Sequence, residues 1–323
     1  MTRTIVGVLR GGTSNEYALS LKTGAAMLTA LPEEKYDVRD ILIDKSGTWY
    51  SRGTPATPAR ALTQIDVVLN ALHGGVGEDG TVQRVLDRSG VPYAGSRSLP
   101  SALSLNKIRA REILERAGVR MPRGASFSVN AGLNTAEMSR SVFEQFGPPY
   151  IVKPPSDGAG HGIRIAASIV ELPDVLGDIL DSYGAALVEE YIRGDEVSAG
   201  VIDDFRGEEL YVLPPAHVLK DAMHLTREMH ENGSVQHVVP SRFTHIQKLN
   251  ITEMARAAHK ALQMLHFSRA DMIVTPRTVY LLEVNTVPGL YAGASFPAML
   301  NSVGSNVAEF LEHAIALARA QRA

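Results

Sequence analysis

The sequence predicts an α/β protein with a doubly wound parallel sheet in its N-terminal part and mixed α+β structure in its C-terminal parts. Apolar β-branched runs alternate with helical periodicity over the first hundred residues, which favours a parallel sheet. Two of these runs open into glycine loops, at 11–12 and 74–75. Two apolar runs separated by turn residues, within 267–289, predict an antiparallel hairpin near the C-terminus.

Composition is that of an ordinary globular protein: 323 residues, of which 45% are hydrophobic and 21% charged. Such a length allows two or three domains. The formal net charge of −3 and the dispersed basic residues argue against a nucleic-acid partner. The sequence contains no cysteine, which excludes disulfides, thiolate metal sites and a thiol nucleophile. Because no bilayer-length apolar run or signal peptide is evident, we expect a cytoplasmic protein without a membrane partner.

In chain order, the first strand–loop–helix unit covers 4–31, with the strand at 4–9 and the helix at 17–31. Glu16 stands at the start of that helix, where the helix dipole favours an acid. Its functional alternative is a counter-ion for an ammonium group. Further strands are predicted at 38–43 and 67–72, and a helix at 81–88. His73 follows the second of these strands and is either a ligand contact or a structural hydrogen-bonding residue.

The middle of the chain predicts a helix over 101–117 that carries Lys107, then strands at 126–129 and 150–153 around a polar helical segment. Glycines at 158, 160 and 162 follow Lys153 and lead into another strand rather than a long helix, so the segment is not a Walker loop. We interpret it as a flexible flap that offers N–H groups to phosphates. Domain boundaries are placed at 100/101 and 185/186, giving domains 1–100, 101–185 and 186–323.

A strand at 186–192 turns back at 194–196 into another strand at 197–202. This is either a simple edge strand or an adenine-and-ribose edge, in which Glu196 accepts from ribose hydroxyls. The polar segment 218–237 carries three histidines spaced six and seven residues apart but no i, i+4 pair, so we reject a zinc site and predict a mobile loop. Helices are predicted at 251–265 and 306–320.

The hairpin within 267–289 carries the strongest chemical signal. Residues two apart on a strand share a face, so Arg269 and Asp271 point together. If the hairpin loop holds an odd number of residues, Asp271 lies opposite Glu283, with Asn285 two residues further along. Two carboxylates and an amide oxygen are hard donors suited to Mg²⁺. The alternative is a solvated hairpin with charges on its outer face.

Taken together, six segments occur in the order that is typical of one family: GGTSNE, ALHGGVGEDGTVQ, SALSLNK, IVKPPSDGAGHG, VEEYIRGDE and SRADMIV…LLEVNTVPG. They resemble D-alanine–D-alanine ligases of the ATP-grasp superfamily over nearly the whole chain. The resemblance implies a three-domain fold with ATP between the central and C-terminal domains and two D-alanines beneath it. It also implies two Mg²⁺ ions, with Mn²⁺ as an alternative, a role in peptidoglycan precursor synthesis, and a homodimer.

The resemblance also implies roles for individual residues. The implied nucleotide-binding residues are Lys107, Lys153, Gly158, Gly160, Glu189, Glu190, Tyr191, Ile192 and Glu196. The implied metal ligands are Asp271, Glu283 and Asn285, with Glu283 bridging two ions. The implied substrate-binding residues are Glu16, His73, Arg269, Gly289 and Ser295; Glu16 meets the first substrate's ammonium, while Arg269 and the Gly289 amide serve the oxyanion. The implied chemistry runs through an acyl phosphate and needs no protein nucleophile.

Departures from the family pattern concern the second substrate. The flap serine of the family is replaced by Ala159, followed by Gly160, and the lysine-tyrosine pair of the mobile loop is replaced by Met229-His230. The serine that reads the second substrate's carboxylate falls on Ala294, although Ser295 is adjacent. The leading prediction is therefore a D-alanine–D-alanine ligase. The alternatives are a ligase with another acceptor, such as D-lactate or D-serine, and a nucleotide-binding protein without ligase activity.

Overall fold

The computed structural model of the protein describes residues 3–156, 160–219 and 235–320. Gly158 and Ala159 of the predicted flap lie outside the described residues, as do Met229, His230 and most of the predicted loop over 218–237. Within the described ranges, none of the helices has the length and apolarity that crossing a membrane requires.

The first sheet contains six strands in the order β4-β3-β2-β1-β5-β6. Their bounds are β1 (Thr4–Gly11), β2 (Tyr36–Ile43), β3 (Trp49–Ser51), β4 (Thr54–Ala56), β5 (Val67–Asn70) and β6 (Tyr93–Ala94). The β1 strand pairs in parallel with β2 and β5, and β5 pairs in parallel with β6. The predicted parallel sheet is confirmed, but β3 and β4 add an antiparallel edge to it.

Both glycine loops follow the carboxyl ends of β1 and β5, which are neighbours in the sheet. The loops therefore meet at one edge, as expected for open α/β sheets. The helices of this region are Tyr17–Ala30, Pro58–Ala61 and Thr81–Ser89, with a 3₁₀ turn at Gly75–Gly77.

The second sheet is antiparallel, with strand order β7-β10-β8-β9. Its strands are β7 (Gly124–Ser128), β8 (Tyr150–Lys153), β9 (Arg164–Ala166) and β10 (Ala185–Glu190). The helices Thr135–Phe143 and Leu172–Tyr183 pack together against it. The first of these begins with a capping box between Asn134 and Glu137, which satisfies two backbone N–H groups at the helix start.

The third sheet has the order β14-β13-β11-β15-β16, with β12 also paired to β11. Its strands are β11 (Asp195–Phe205), β12 (Glu208–Val212), β13 (Ala216–Leu219), β14 (Gln236–Val238), β15 (Phe267–Val274) and β16 (Val279–Asn285). The helix His245–Ala261 packs its apolar side on β11, β15 and β16. Strand β13 therefore contains the first two residues of the predicted loop over 218–237, and strand β14 contains its last two.

The predicted helix over 101–117 is wrong as a single element. It is two helices, Ser98–Leu105 and Lys107–Arg116, with Asn106 between them in an extended conformation. The Asn106 side chain accepts from the backbone N–H of Arg109, so asparagine caps the second helix instead of continuing the first. As a result Lys107 begins a helix, and its N–H donates to the Pro155 carbonyl at 2.7 Å beside the flap.

The last two helices, Ser295–Ser302 and Val307–Ala320, return the chain to the first sheet. Phe296, Phe310 and Ile315 are buried in one cluster with Val8 and Leu69 of β1 and β5. The core of the first sheet is therefore completed by residues from the far end of the chain. The domain division at 100/101 and 185/186 stays a prediction; the strand β10 begins at that second boundary and pairs within the second sheet.

Candidate active site

A single cleft is bordered by all three sheets and encloses about 1480 Å³, including the space at its mouth. Every predicted site residue within the described ranges lines it: Glu16, His73, Lys107, Lys153, Gly160, Glu189, Glu190, Tyr191, Ile192, Glu196, Arg269, Asp271, Glu283, Asn285, Gly289 and Ser295. Gly158 lies outside the described residues.

The hairpin of β15 and β16 places Asp271 directly opposite Glu283, and Arg269 opposite Asn285. These four side chains lie on the cleft wall. The predicted register of the acids is therefore confirmed.

The predicted reason for this register is wrong. Val274 pairs with Val279, which leaves a loop of four residues, an even number. Continued regularly, that register would put Asp271 opposite Leu282. A β-bulge after Asp271 shifts the register by one, because a bulge inserts one extra residue into one strand. The bulge, and not the loop, turns Glu283 onto the face of Asp271.

Asp271 is held by three neighbouring side chains. Arg269 donates to it through Nε at 2.9 Å and Nη2 at 2.7 Å. Ser198 of β11 donates through Oγ at 2.7 Å, and Asn285 through Nδ2 at 2.8 Å. The carboxylate is therefore fixed in orientation on the floor of the cleft.

The donor set of this face fits a magnesium ion. Asp271 and Glu283 supply carboxylate oxygens, and Asn285 donates through its nitrogen, which turns its amide oxygen towards other partners. Among the described residues, no three His, Asp or Glu side chains lie close enough to form a metal site by themselves. Mg²⁺ suits such an incomplete set, since it retains waters and accepts substrate phosphates as ligands.

Lys107 pairs with Glu283 across the cleft, with Nζ 2.7 Å from Oε2. Burial alone would lower the pKa of Lys107, but the Glu283 carboxylate outweighs burial and raises it. Burial alone would raise the pKa of Glu283, but Lys107, Lys153 and Arg269 together lower it to about 2. Lysine and glutamate are therefore both charged near neutral pH, as a phosphate and a metal require.

Glu189 is buried, and both of its carboxylate oxygens are engaged. Lys153 Nζ lies 2.5 Å from Oε2, and Arg111 Nη1 lies 2.9 Å from Oε1. The sequence prediction included Glu189 and Lys153 but missed Arg111. The sequence pattern that could have predicted Arg111 is its spacing of four residues from Lys107, which puts the two basic side chains on one helix face.

The segment that follows β10 forms the far end of the cleft. Glu190 is held by Arg123, which donates through Nε at 2.9 Å and Nη2 at 2.7 Å. The wall around it is largely apolar, with Ile151, Ile163, Ile192, Ile273 and Leu282. Among the described residues, the Ile192 N–H has no hydrogen-bond acceptor, while the N–H before it, of Tyr191, donates to Pro149. An apolar slot with an available backbone donor suits a planar base.

At the opposite end, Glu16 and His73 come from the two glycine loops. Glu16 is the N-cap residue of the helix Tyr17–Ala30, but its carboxylate does not cap that helix. His73 Nε2 lies 2.7 Å from Thr23 Oγ1. Burial, reinforced by the positive charge of Arg269, lowers the pKa of His73 to about 3. His73 is therefore neutral. It makes a structural hydrogen bond with Thr23 and lines the cleft, while its predicted contact with a ligand stays a prediction.

Glu78 is a second residue that the sequence prediction missed. It is buried and accepts from the Gly74 N–H at 2.8 Å, from Thr286 Oγ1 at 2.7 Å and from the Val287 N–H at 3.1 Å. Burial raises its pKa. The side chain joins the second glycine loop to the segment that leads to Gly289. Its only sequence signal was an acid inside an otherwise apolar and glycine-rich loop.

The segment after β16 forms the end of the cleft near Glu16. Gly289 lies under the Tyr291 ring, since a Cβ at Gly289 would approach Tyr291 Cε1 to 2.8 Å. Ala294 is the N-cap residue of the helix Ser295–Ser302 and provides no side-chain hydrogen bond. Ser295, the first residue of that helix, is 3% exposed and lines the cleft. The hydroxyl nearest this helix start therefore belongs to Ser295.

Comparison with known proteins gives a consistent result. The chain matches the family model described as D-ala D-ala ligase C-terminus over residues 113–316, and that described as D-ala D-ala ligase N-terminus over residues 51–96. A D-alanine–D-alanine ligase of Desulforudis audaxviator is 32% identical over 317 residues, which cover 97% of this chain and 98% of the relative.

Two solved structures are similar to this one over almost their whole length. The D-alanine–D-alanine ligase of Bacillus anthracis complexed with ATP has a TM-score of 0.81 and 27% identity, covering 99% of this chain and 98% of that one. The VanG D-Ala:D-Ser ligase of Enterococcus faecalis has a TM-score of 0.85 and 26% identity, covering 98% and 100%. With both family models matched and a relative that is 32% identical over 97% of this chain, the chain belongs to the D-alanine–D-alanine ligase family.

Proposed function

We propose that this protein is an ATP- and Mg²⁺-dependent ligase that joins two D-alanines for peptidoglycan precursor synthesis. One observation carries the proposal: the acids Asp271 and Glu283 and the lysines Lys107 and Lys153 share a cleft with Glu16 and Arg269. We propose that one end of the cleft, with the acids and lysines, binds phosphates and a metal (the phosphate end). The other end, near Glu16, is proposed to bind the amino acids (the amino-acid end).

The nucleotide is proposed to lie along the second and third sheets. Lys107 and Lys153 bind its phosphates, and the flap glycines Gly158 and Gly160 close over them. The base enters the apolar slot at residues 189–192, where the Ile192 N–H donates to it. The nearby Glu196 accepts from the ribose hydroxyls.

Asp271, Glu283 and Asn285 are proposed as the residues that would hold Mg²⁺, as two ions, with Mn²⁺ as an alternative. When bound, the metal neutralises phosphoryl charge and aligns the transferred group. The support is the donor set on one strand face and the low pKa of Glu283. A carboxylate that stays ionised at every working pH can hold a divalent cation without competition from protons.

At the other end, Glu16 is proposed to bind the ammonium group of the first D-alanine. Its carboxylate leaves the helix start uncapped and faces the second glycine loop, where a Cβ at Gly74 would lie 2.7 Å from Oε1. His73 lines the same pocket as a neutral side chain. Neutrality matters here, because an imidazolium would repel the ammonium group that Glu16 attracts.

The reaction proposed has two steps. The carboxylate oxygen of the first D-alanine attacks the γ-phosphorus of ATP, and the bond to the β-phosphate oxygen breaks to release ADP. The amino group of the second D-alanine then attacks the acyl carbon, loses a proton, and displaces inorganic phosphate. Arg269 and the Gly289 N–H stabilise the oxyanion formed in between. Closure of the flap excludes water, which would otherwise hydrolyse the acyl phosphate.

The test is phosphate release from ATP and Mg²⁺ with D-alanine alone, followed by the mass of the product. We expect D-alanyl-D-alanine, one phosphate and one ADP per turnover. The same assay is then repeated with D-lactate and D-serine. No phosphate release with any acceptor, despite ATP binding, would refute the ligase proposal and favour a nucleotide-binding protein.

A second candidate function differs only in the acceptor. It is favoured by Ala294, which offers no hydroxyl at the start of the helix Ser295–Ser302, together with Ala159 and His230 in the sequence. A ligase for D-lactate or D-serine would release phosphate efficiently only when that acceptor is present. Efficient release with D-alanine alone would eliminate this candidate.

Three further proposals rest on family membership and composition. The protein is proposed to form a homodimer, which light scattering after gel filtration would test. It is proposed to work in the cytoplasm, where ATP is available. It is also proposed to need no nucleic-acid or membrane partner, in line with the net charge of −3.

A further inference from the structure

Arg111 lies behind the cleft wall and has no role in the proposed reaction. It belongs to the helix Lys107–Arg116, one turn after Lys107. Its side chain is 9% exposed, and its guanidinium donates to Glu189 at 2.9 Å and to the Pro122 carbonyl. It is also 2.7 Å from Glu115, whose side chain is half exposed and therefore screened by water.

The neighbouring strand provides the space for this guanidinium. Gly124 of β7 pairs directly with Glu189 of β10. A Cβ at Gly124 would lie 2.9 Å from Arg111 Nη1 and 3.0 Å from Cζ, closer than unstrained contacts allow. A side chain at position 124 would therefore push the Arg111 guanidinium away from its present position, so Gly124 leaves the space in which Arg111 reaches Glu189.

Glu189 consequently lies between two cations. Arg111 binds Oε1 from behind, while Lys153 binds Oε2 from the cleft side at 2.5 Å. Together with the adjoining pair of Lys107 and Glu283, the group contains three cations and two carboxylates, and the half-exposed Glu115 adds a water-screened carboxylate beside Arg111. The third positive charge is therefore balanced only by Glu115, and of the three cations Lys107 and Lys153 line the cleft while Arg111 does not.

From this arrangement we infer that Arg111 is a positioning residue for nucleotide binding. It neutralises Glu189 from behind and so leaves the charge of Lys153 for a phosphate of the nucleotide. Without Arg111, Glu189 and Lys153 form a closed one-to-one ion pair, and a phosphate must compete with a buried carboxylate for the lysine. The inference rests on the proposed function only in taking a nucleotide as the ligand.

The test is the variant Arg111→Met, in the full chain, with binding of Mg-ATP and of adenosine measured by titration calorimetry. We expect the dissociation constant of Mg-ATP to rise about tenfold, a typical coupling within a charged network, and that of adenosine to stay unchanged. The matched control is Arg109→Met on the same helix, whose side chain is 63% exposed and pairs with Glu112. Its affinity for Mg-ATP should equal that of the wild type.

A double variant separates positioning from general damage. Arg111→Met combined with Glu189→Gln removes the competing charge, so Mg-ATP should bind at least about threefold more tightly than it binds to Arg111→Met alone. If Arg111→Met does not fold, Arg111→Gln replaces it, since glutamine keeps a hydrogen-bond donor but removes the charge. It should weaken Mg-ATP binding by at least about threefold.

The outcomes distinguish this inference from the proposed function. Unchanged Mg-ATP affinity in Arg111→Met would overturn the inference while the ligase proposal stands. An equal loss of ATP and adenosine binding, or no recovery in the double variant, would overturn it as well by indicating a purely structural role. If the wild type binds no Mg-ATP, the proposed function fails, and the inference fails with it.

Discussion

The two ends of the cleft are organised by different forces. At the phosphate end, the side chains of Lys107, Lys153, Glu189 and Glu283 are ion-paired across elements far apart in the chain. At the amino-acid end, position is set by hydrogen bonds to the backbone, with Glu78 as the central acceptor. At the first end, a lysine can replace its carboxylate partner with a phosphate of the ligand. At the second end, the hydrogen bonds of Glu78 hold the loops in place.

The ligands proposed for the two ends differ as well. The paired charges are proposed to bind a phosphate and a metal, so a substitution there is expected to remove a charge that the ligand needs. At the amino-acid end, the helix Ser295–Ser302 begins at Ala294 without a side-chain cap. A substitution at Ala294 is therefore expected to change what is bound without removing a cap from the helix. The following predictions test this contrast.

The largest effect is expected for Glu283→Gln. The change removes a metal ligand and the partner of Lys107, so ligation should fall more than about a hundredfold, since even outer-shell partners of metals contribute 10–100-fold. Turnover is measured by phosphate release and folding by circular dichroism. The control is Glu253→Gln, an exposed acid paired with Arg256, which should keep wild-type turnover. Full activity of Glu283→Gln would refute the metal assignment.

Glu78→Gln should damage the other end through packing. In the variant, the amide nitrogen is itself a hydrogen-bond donor. It would face an N–H or O–H group that donates to the carboxylate in the wild type. We expect the free energy of unfolding to fall by about 1–3 kcal/mol, with a higher KM for D-alanine and little change in the KM for ATP.

Urea unfolding and substrate-dependent kinetics measure these effects of Glu78→Gln. The exposed Glu209 gives the matched control, Glu209→Gln, which should match the wild type. A rise in the KM for ATP as large as that for D-alanine would contradict the separation of the two ends.

Ser295→Ala should have a smaller and more selective effect. If the Ser295 hydroxyl serves the acceptor in place of Ala294, its loss should raise the acceptor KM about 3–10-fold, the value of one ordinary hydrogen bond. The KM for ATP should not change. Ser302→Ala, at the other end of the same helix, removes a hydroxyl that donates to the Met299 carbonyl and should leave both constants unchanged. An unaltered acceptor KM in Ser295→Ala would remove Ser295 from the site.

A further effect is expected in the pH dependence of stability. His73 has a folded-state pKa of about 3, against 6.5 when unfolded. As pH falls from about 6.5 towards 3, the unfolded chain binds a proton that the folded chain does not, so stability decreases with falling pH. His73→Gln should therefore lose less stability between pH 7 and 5 than the wild type, by up to roughly 2 kcal/mol. Equal losses in urea unfolding would contradict a buried neutral His73.

Much of the fold was predictable from local pattern. The strands β1, β2, β5, β8, β15 and β16 lie where apolar runs predicted them, because strand periodicity depends on neighbouring residues alone. The helix break at Asn106 was missed, since a mid-segment asparagine becomes an N-cap only when packing bends the chain there. The antiparallel strands β3 and β4 were missed because they are short and half-exposed.

The sequence by itself determined the residue types of the site. These are the oxygen donors Glu283 and Asn285, two residues apart on one strand, the lysines Lys107 and Lys153, and the glycines that follow strands β1 and β5. These are local chemical facts that spacing alone reveals. Tertiary structure decided which partners they meet. The bulge that sets Asp271 opposite Glu283, the link from Glu78 to Val287, and the approach of Arg111 to Glu189 over Gly124 all join segments by non-local packing. Contacts of this kind depend on backbone geometry and burial, which only the folded chain defines.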